Sequence, residues 1–158
     1  MNSTPLTLTR GLFMALLLAM CLVMQPSRSA HADLSDGLVI IVNARNPTQT
    51  LSAADIKKMF LGQVAFWHGV VPVKLVVRPD SSKAAKLFYE NVLGMSPQAY
   101  RKHWDELQLA GRGVAPKALA SPEELATAIS QVPGAIGFGL ASETWQTTNR
   151  GVKIIEVR

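Results

Sequence analysis

The segment Val76-Val77-Arg78-Pro79-Asp80-Ser81-Ser82-Lys83 gathers a guanidinium, two hydroxyls and an ammonium within a few residues. The apolar residues before Arg78 predict a strand, and Asp80, Ser81 and Ser82 predict the start of a helix. A helix N-terminus presents unpaired backbone N–H groups and about half a positive charge, so it favours an anion. The segment therefore predicts a site for a small oxyanion, with Arg78, Ser81, Ser82 and the neighbouring N–H groups as donors and Lys83 as added charge. Asp80 is expected to orient Arg78 rather than touch the anion, because two negative groups close together repel. Ordinary helix capping explains the same serines without a ligand, and the two roles can coexist. Arg112, in the loop tripeptide Gly111-Arg112-Gly113, is a candidate to reach the same pocket, with a solvated loop charge as the alternative.

Other chemistries find little support. His103 and Glu106 lie three apart on an expected helix, but two ligands do not make a metal site, and a solvated face explains them. Gly134, Gly137 and Gly139 do not fit G-x-G-x-x-G and follow a helix instead of opening one, so they read as a strand with close backbone contacts. There is no G-x-S-x-G elbow, no H-E-x-x-H and no acid pair spaced for proton transfer. No catalytic residue, no metal and no cofactor is assigned, and a binding role is expected rather than an enzyme. Trp67 and Phe66 are read as aromatics capping a core, with an exposed binding surface as the alternative.

The N-terminus has the form of an export signal. Arg10 precedes the uncharged apolar run Gly11–Met24, and Ala30-His31-Ala32 matches an A-x-A cleavage site. The run is shorter than the roughly 18–20 residues a spanning helix needs, so no stable membrane anchor is expected. Cleavage after Ala32 leaves 126 of the 158 residues, starting at Asp33, enough for one domain and one core. The only cysteine, Cys21, lies in the signal, so disulfides do not hold the exported chain together. The full chain carries a net +5, and without Arg10 and Arg28 it keeps 14 basic against 11 acidic residues, a net +3. The basic residues are scattered, so nucleic acid is not an expected partner.

The elements that position the anion segment can be read in order. Leu38–Val42 is a β-branched run expected to be buried on both faces. Asn43–Thr50 reads as a loop. Ser52 and Asp55 resemble a capping box, with Ile56, Met59 and Phe60 as an apolar face and a stop at Gly62. Ala65–Gly69 reads as a turn and Val73–Val77 as a strand. The helix from Ser81 shows Ala84, Leu87, Phe88 and Val92 on one side and ends at Gly94. Ser96-Pro97 starts another helix with Tyr100, Trp104 and Leu107 in a stripe. Ala110–Ala118 reads as a loop. Ser121-Pro122-Glu123-Glu124 opens a helix whose core face is Leu125, Ala128, Ile129 and Val132. Ala135–Phe138 and Val152–Val157 are strands, with 142–147 a short helix or loop between them. Alternating strands and helices predict a three-layer α/β/α sandwich on a mostly parallel sheet, a single domain over residues 33–158.

These residues also carry a resemblance. Leu51–Gly62 followed by Gln63-Val64-Ala65-Phe66-Trp67 is similar to the segment around "I-x-x-W" in periplasmic phosphate-binding proteins of ABC transporters. Val73–Arg78 with Asp80-Ser81-Ser82, a helix reaching Phe88, and Val132-Pro133-Gly134-Ala135-Ile136-Gly137-Phe138 follow in that family's order. The resemblance implies one lobe of a type II periplasmic binding protein. It further implies non-enzymatic binding of phosphate or a related oxyanion in the periplasm, and an ABC transporter permease or another periplasmic protein as partner. Of the site residues it implies Arg78, Asp80, Ser81 and Ser82. Ser82-Lys83-Ala84 stands where the family has Ser-Gly-Thr, so Lys83 brings charge in place of a close backbone approach. The chain is long enough for one lobe, whereas the family's transport members close two lobes on the ligand. A protein-interaction or sensory module derived from one lobe is the alternative. A lone helix end with one Arg in open water is screened over roughly 8 Å, so weak affinity is expected without enclosure by a second lobe, a second copy or a partner.

Overall fold

The computed structural model describes residues 37–143 and 151–158. The signal run with Arg10, Cys21 and the Ala30–Ala32 cleavage site, and the stretch from Thr144 within the expected 142–147 element, lie outside the described residues.

Eight strands are described: β1 Leu38–Asn43, β2 Thr50–Leu51, β3 Phe66–Trp67, β4 Val71–Pro72, β5 Lys74–Val77, β6 Lys117–Ala118, β7 Ala135–Leu140 and β8 Val152–Val157. Four α-helices accompany them: α1 Ala53–Phe60, α2 Lys83–Leu87, α3 Pro97–Leu109 and α4 Pro122–Gln131. A π-helical turn, Phe88–Leu93, continues α2. Six strands form one sheet in the order β2-β8-β1-β7-β5-β6. β5 runs parallel to both β6 and β7, and β2 parallel to β8, while β1 is antiparallel to β7 and β8. Five strands therefore share one direction, and β1 alone opposes them, so the expected mostly parallel sheet is found.

Both faces of this sheet are covered. On one side Ile40, Val42, Ile136, Phe138 and Ile155 pack under α1, α2, the π-helical turn and α3. The centre of that layer is aromatic: Phe88 stacks on Phe138 with centroids 4.0 Å apart, and Phe60 meets Phe88 at 4.6 Å. On the other side Leu125, Ala126 and Ile129 of α4 cover Ile41, Val76, Ala135 and Val152. Alternate residues of β1 thus enter opposite cores, which is why the run needs no polar residue on either face.

The caps at Ser52, Ser96 and Ser121 fall where the sequence puts them, and the helix expected from Ser81 is capped one residue on, by Ser82. The Ser52, Ser82, Ser96 and Ser121 side chains accept from the N–H three residues on, and Ser121 with Glu124 completes a reciprocal capping box. At Ser52 the reciprocal half differs: its hydroxyl donates to the Asp55 carboxylate at 2.7 Å. Gly94, at φ 66°, ends the π-helical turn in the left-handed conformation that glycine adopts without cost.

Five expectations change. Asn43–Thr50 ends in the short strand β2, and Ala110–Ala118 ends in β6, an edge strand paired with β5. The turn at Ala65–Gly69 is part of a small ribbon, β3 against β4, closed by Val70 N–H donating to the Trp67 carbonyl at 2.9 Å. Two-residue edge strands carry too few residues for a period to show. On α4 Leu125 and Ile129 are buried as expected, but Ala126 joins them in place of Ala128, which is half-buried, and Val132 lies past the helix end, exposed. Trp67 is a core aromatic, its indole N–H donating to the Gly134 carbonyl at 2.9 Å, whereas Phe66 is exposed.

Candidate functional site

Arg78 leaves the C-terminal end of β5 and turns inward, with only 7% of its surface exposed. Its Nη2 faces the Glu143 carboxylate at 3.4 Å. That is long for a charge-assisted bond, which is usually about 2.7–2.9 Å. Among the described residues, Nε and Nη1 have no hydrogen-bond partner. A buried guanidinium with unmet donors is costly, because buried charges are normally paired and hydrogen-bonded. Glu143 is itself held in place: its Oε2 accepts the Leu140 N–H at 2.7 Å, and its own N–H donates to the Leu140 carbonyl at 3.0 Å. The turn after β7 thus carries a carboxylate onto one corner of Arg78, and among the described residues the rest of the fork is unmet.

Arg78 lines a hollow of about 310 Å³ between α3 and the β5–β6 edge of the sheet. Arg101 and Asp105, one turn apart on α3, share it with Asp80, and Tyr100 and Trp104 supply aromatic wall. Asp80 forms an ion pair with Arg101. This corrects the expected role of Asp80: Glu143 is the carboxylate that meets Arg78, and Asp80 ties the β5–α2 turn to α3.

The serines serve the helix. Ser82 accepts from Ala85 N–H at 3.2 Å as the cap of α2, and its own N–H donates to the Pro79 carbonyl at 2.8 Å. Ser81 and Lys83 are exposed. None of the three lines the Arg78 hollow, although Asp80 does. Arg112 is exposed on its loop and lines a neighbouring hollow of about 270 Å³. The two hollows share Trp104, Ala115 and Pro116, so the indole stands between Arg112 and Arg78. Of the residues singled out by sequence, the structure brings together Arg78 and Asp80 and leaves Ser81, Ser82, Lys83 and Arg112 outside that hollow.

The wall behind the hollow is apolar and firmly tied. The Tyr100 hydroxyl and the Trp104 indole N–H both donate to the Phe60 carbonyl, at 3.1 Å each. Burial pushes the Tyr89 hydroxyl up to about 12 and also raises that of Tyr100. A phenol whose folded pKa is raised stabilises the fold below its unfolded value, about 10, and loses that contribution as pH rises toward the folded value. Denaturation midpoints should therefore hold steady up to about pH 10 and fall between about 10 and 12. Replacing Tyr89 with Phe should flatten that fall in a urea titration series; an equally steep fall would remove Tyr89 as its source.

His103 Nε2 donates to the Leu61 carbonyl at 2.9 Å, and Glu106 faces Lys102 at 3.9 Å. The pair is a helix-surface arrangement, and among the described residues no group of three or more metal-ligating side chains gathers. Among the same residues no helix is long and apolar enough to cross a membrane.

The residue that sequence reading missed is Glu143. Leu140-Ala141-Ser142-Glu143 carries no motif, and only the β5–β7 pairing brings its turn beside Arg78.

A family model described as a PBP superfamily domain matches residues 34–154. Among solved structures, an ABC-type phosphate transport receptor from Vibrio cholerae aligns at 20% identity and a TM-score of 0.55, over 77% of this chain and 46% of that one. A putative phosphate ABC transporter substrate-binding protein with bound phosphate, from Clostridium perfringens, aligns at 17% and 0.57, over 77% and 44%. PstS from Borrelia burgdorferi aligns at 14% and 0.60, over 77% and 47%. At these identities the likeness shows the fold, and the chain spans less than half the length of each structure. No curated protein sequence matches the chain.

Proposed function

The chain belongs to the PBP superfamily, and from that premise we propose that it binds a phosphate-class oxyanion at Arg78 without catalysing a reaction. The observation that carries this reading is the buried guanidinium whose Nε and Nη1 have no partner among the described residues. An oxyanion would meet those donors and neutralise a charge that Glu143 meets at one nitrogen only. Burial also separates Arg78 from the exposed cation imagined from sequence, because salt screens a buried group much less. The solved structures of similar fold are described as phosphate transport or phosphate-binding proteins, which favours phosphate within the oxyanion class. Asp80 lines the same hollow as Arg78, and Ser81, Ser82, Lys83 and Arg112 lie outside it, the two cations as outlying positive charge.

Calorimetric titration with phosphate and with sulfate tests the proposal. Heat of binding is expected for phosphate, and Arg78→Gln should weaken it at least about tenfold, the loss of one charge-assisted contact. Arg78→Lys keeps a cation but loses the planar fork, so it should also weaken binding. Absence of heat in the unaltered protein would sink the reading.

The same reading places the protein in the periplasm, freed of residues 1–32, with a transporter permease or another periplasmic protein as partner. Mass spectrometry of the exported protein should find Asp33 at its N-terminus; an intact N-terminus would refute the cleavage. A module that docks on another protein is the second reading. It is favoured by the exposed apolar side chains of Phe66, Val70 and Val71 on the β3–β4 ribbon. In that case the phosphate titration is silent.

A further inference from the structure

We propose that the Arg78 hollow takes an organic phosphate, a single phosphoryl head on a compact apolar body, in preference to inorganic phosphate. This rests on the oxyanion reading of Arg78 and adds the class of molecule that completes it. The hollow measures about 310 Å³. That lies at the small end of the size range of ligand pockets. A phosphoryl group placed at the Arg78 side of the hollow leaves most of that space unfilled.

The rest of the wall is suited to hydrocarbon. Val77, Tyr89, Tyr100, Trp104, Ala115 and Pro116 line it, with the Tyr89 hydroxyl as one polar tip among them. The polar tips of Tyr100 and Trp104 are committed to the Phe60 carbonyl, so their rings have no donor left to offer a ligand. A pocket with mostly apolar walls and a few placed polar groups is the usual pattern for an organic ligand, with the charge fixing its orientation.

The remaining charges limit the ligand to one anionic head. Arg101 is engaged by Asp80, and Asp105 also lines the hollow. A second anionic group would meet carboxylates rather than a free cation, which disfavours diphosphates and dicarboxylates.

Phenyl phosphate is the probe, compared with inorganic phosphate by calorimetry on the same protein. Phenyl phosphate should bind at least about tenfold tighter, a difference of about 1.4 kcal/mol, by removing part of its ring area from water. It should compete with inorganic phosphate for one site, and Arg78→Gln should weaken both. Ala115→Phe, which adds a ring at an exposed loop position lining the hollow, should narrow the gap between the two ligands. Equal or weaker binding of phenyl phosphate, with inorganic phosphate still bound, would overturn this inference and leave the oxyanion reading standing. Failure of both ligands to bind would overturn both.

Discussion

Replacing Glu143 with Gln should destabilise the ligand-free protein by about 2 kcal/mol and raise its affinity for phosphate about tenfold or more. The amide keeps the shape of the side chain and an oxygen for the Leu140 N–H, so the turn after β7 survives. What it removes is the negative charge beside Arg78. Breaking a buried pair by taking one partner typically costs 3–5 kcal/mol. The smaller figure reflects the 3.4 Å separation and the 18% exposure of the Glu143 side chain. Glu143 and a bound oxyanion are rivals for the same guanidinium, so whatever weakens the internal carboxylate strengthens the external one. The two effects are linked: a ligand that binds only the folded state stabilises it by RT ln(1 + [L]/Kd), so phosphate should rescue the variant more than the unaltered protein. Melting temperatures with and without phosphate, in a buffer free of other oxyanions, read both halves at once. A variant that melts unchanged, or binds phosphate more weakly, would show that Glu143 holds Arg78 for the ligand instead of competing with it.

What could be read from sequence followed the range of the interactions involved. Local signals held: the serine caps, the proline after Ser96 and Ser121, and the unbroken apolar run of β1 each act within a few residues. The three layers followed from the alternation of such elements. The antiparallel insertion of β1 did not, because strand direction within the sheet depends on pairing with β7 and β8 from the far end of the chain. The candidate site shows the same division. Arg78 was legible because a charge at the end of an apolar strand is locally anomalous, but its burial was not. The serines that looked like ligands are cap and surface residues, since a cap and an anion site use the same side chains. Asp80 was assigned to Arg78 by proximity in sequence, and the helix α3 supplied Arg101 as a nearer partner. Glu143 was invisible because nothing in Leu140–Glu143 differs from an ordinary turn.

Adding one methyl group at Gly134 should cost about 3 kcal/mol or more, a large share of the roughly 5–15 kcal/mol that holds a domain folded. A Cβ built there would lie 2.0 Å from the Pro72 carbonyl oxygen and 3.0 Å from Val71 Cγ1. The first of these is backbone, so no rotamer change relieves it. Backbone movement is also restricted, because the Gly134 carbonyl accepts from both Lys74 N–H at 3.0 Å and the Trp67 indole at 2.9 Å. Those two bonds dock the β3–β4 ribbon and the start of β5 onto the start of β7, where Lys74 pairs with Ala135. Displacing Gly134 would shift the register anchor of β5, the strand that delivers Arg78. Gly134→Ala should therefore lower the urea midpoint sharply and, in whatever fraction folds, weaken phosphate binding without touching the hollow. Gly69→Ala is the matched control: it lies in the ribbon turn at φ 77° with open space around its Cβ, so it meets only backbone strain, about 1–2 kcal/mol. Urea denaturation of the two variants side by side decides the matter. If Gly134→Ala were no worse than Gly69→Ala, the close approach of β4 to Gly134 would not be a fixed point of the fold, and the route from that contact to Arg78 would fall with it.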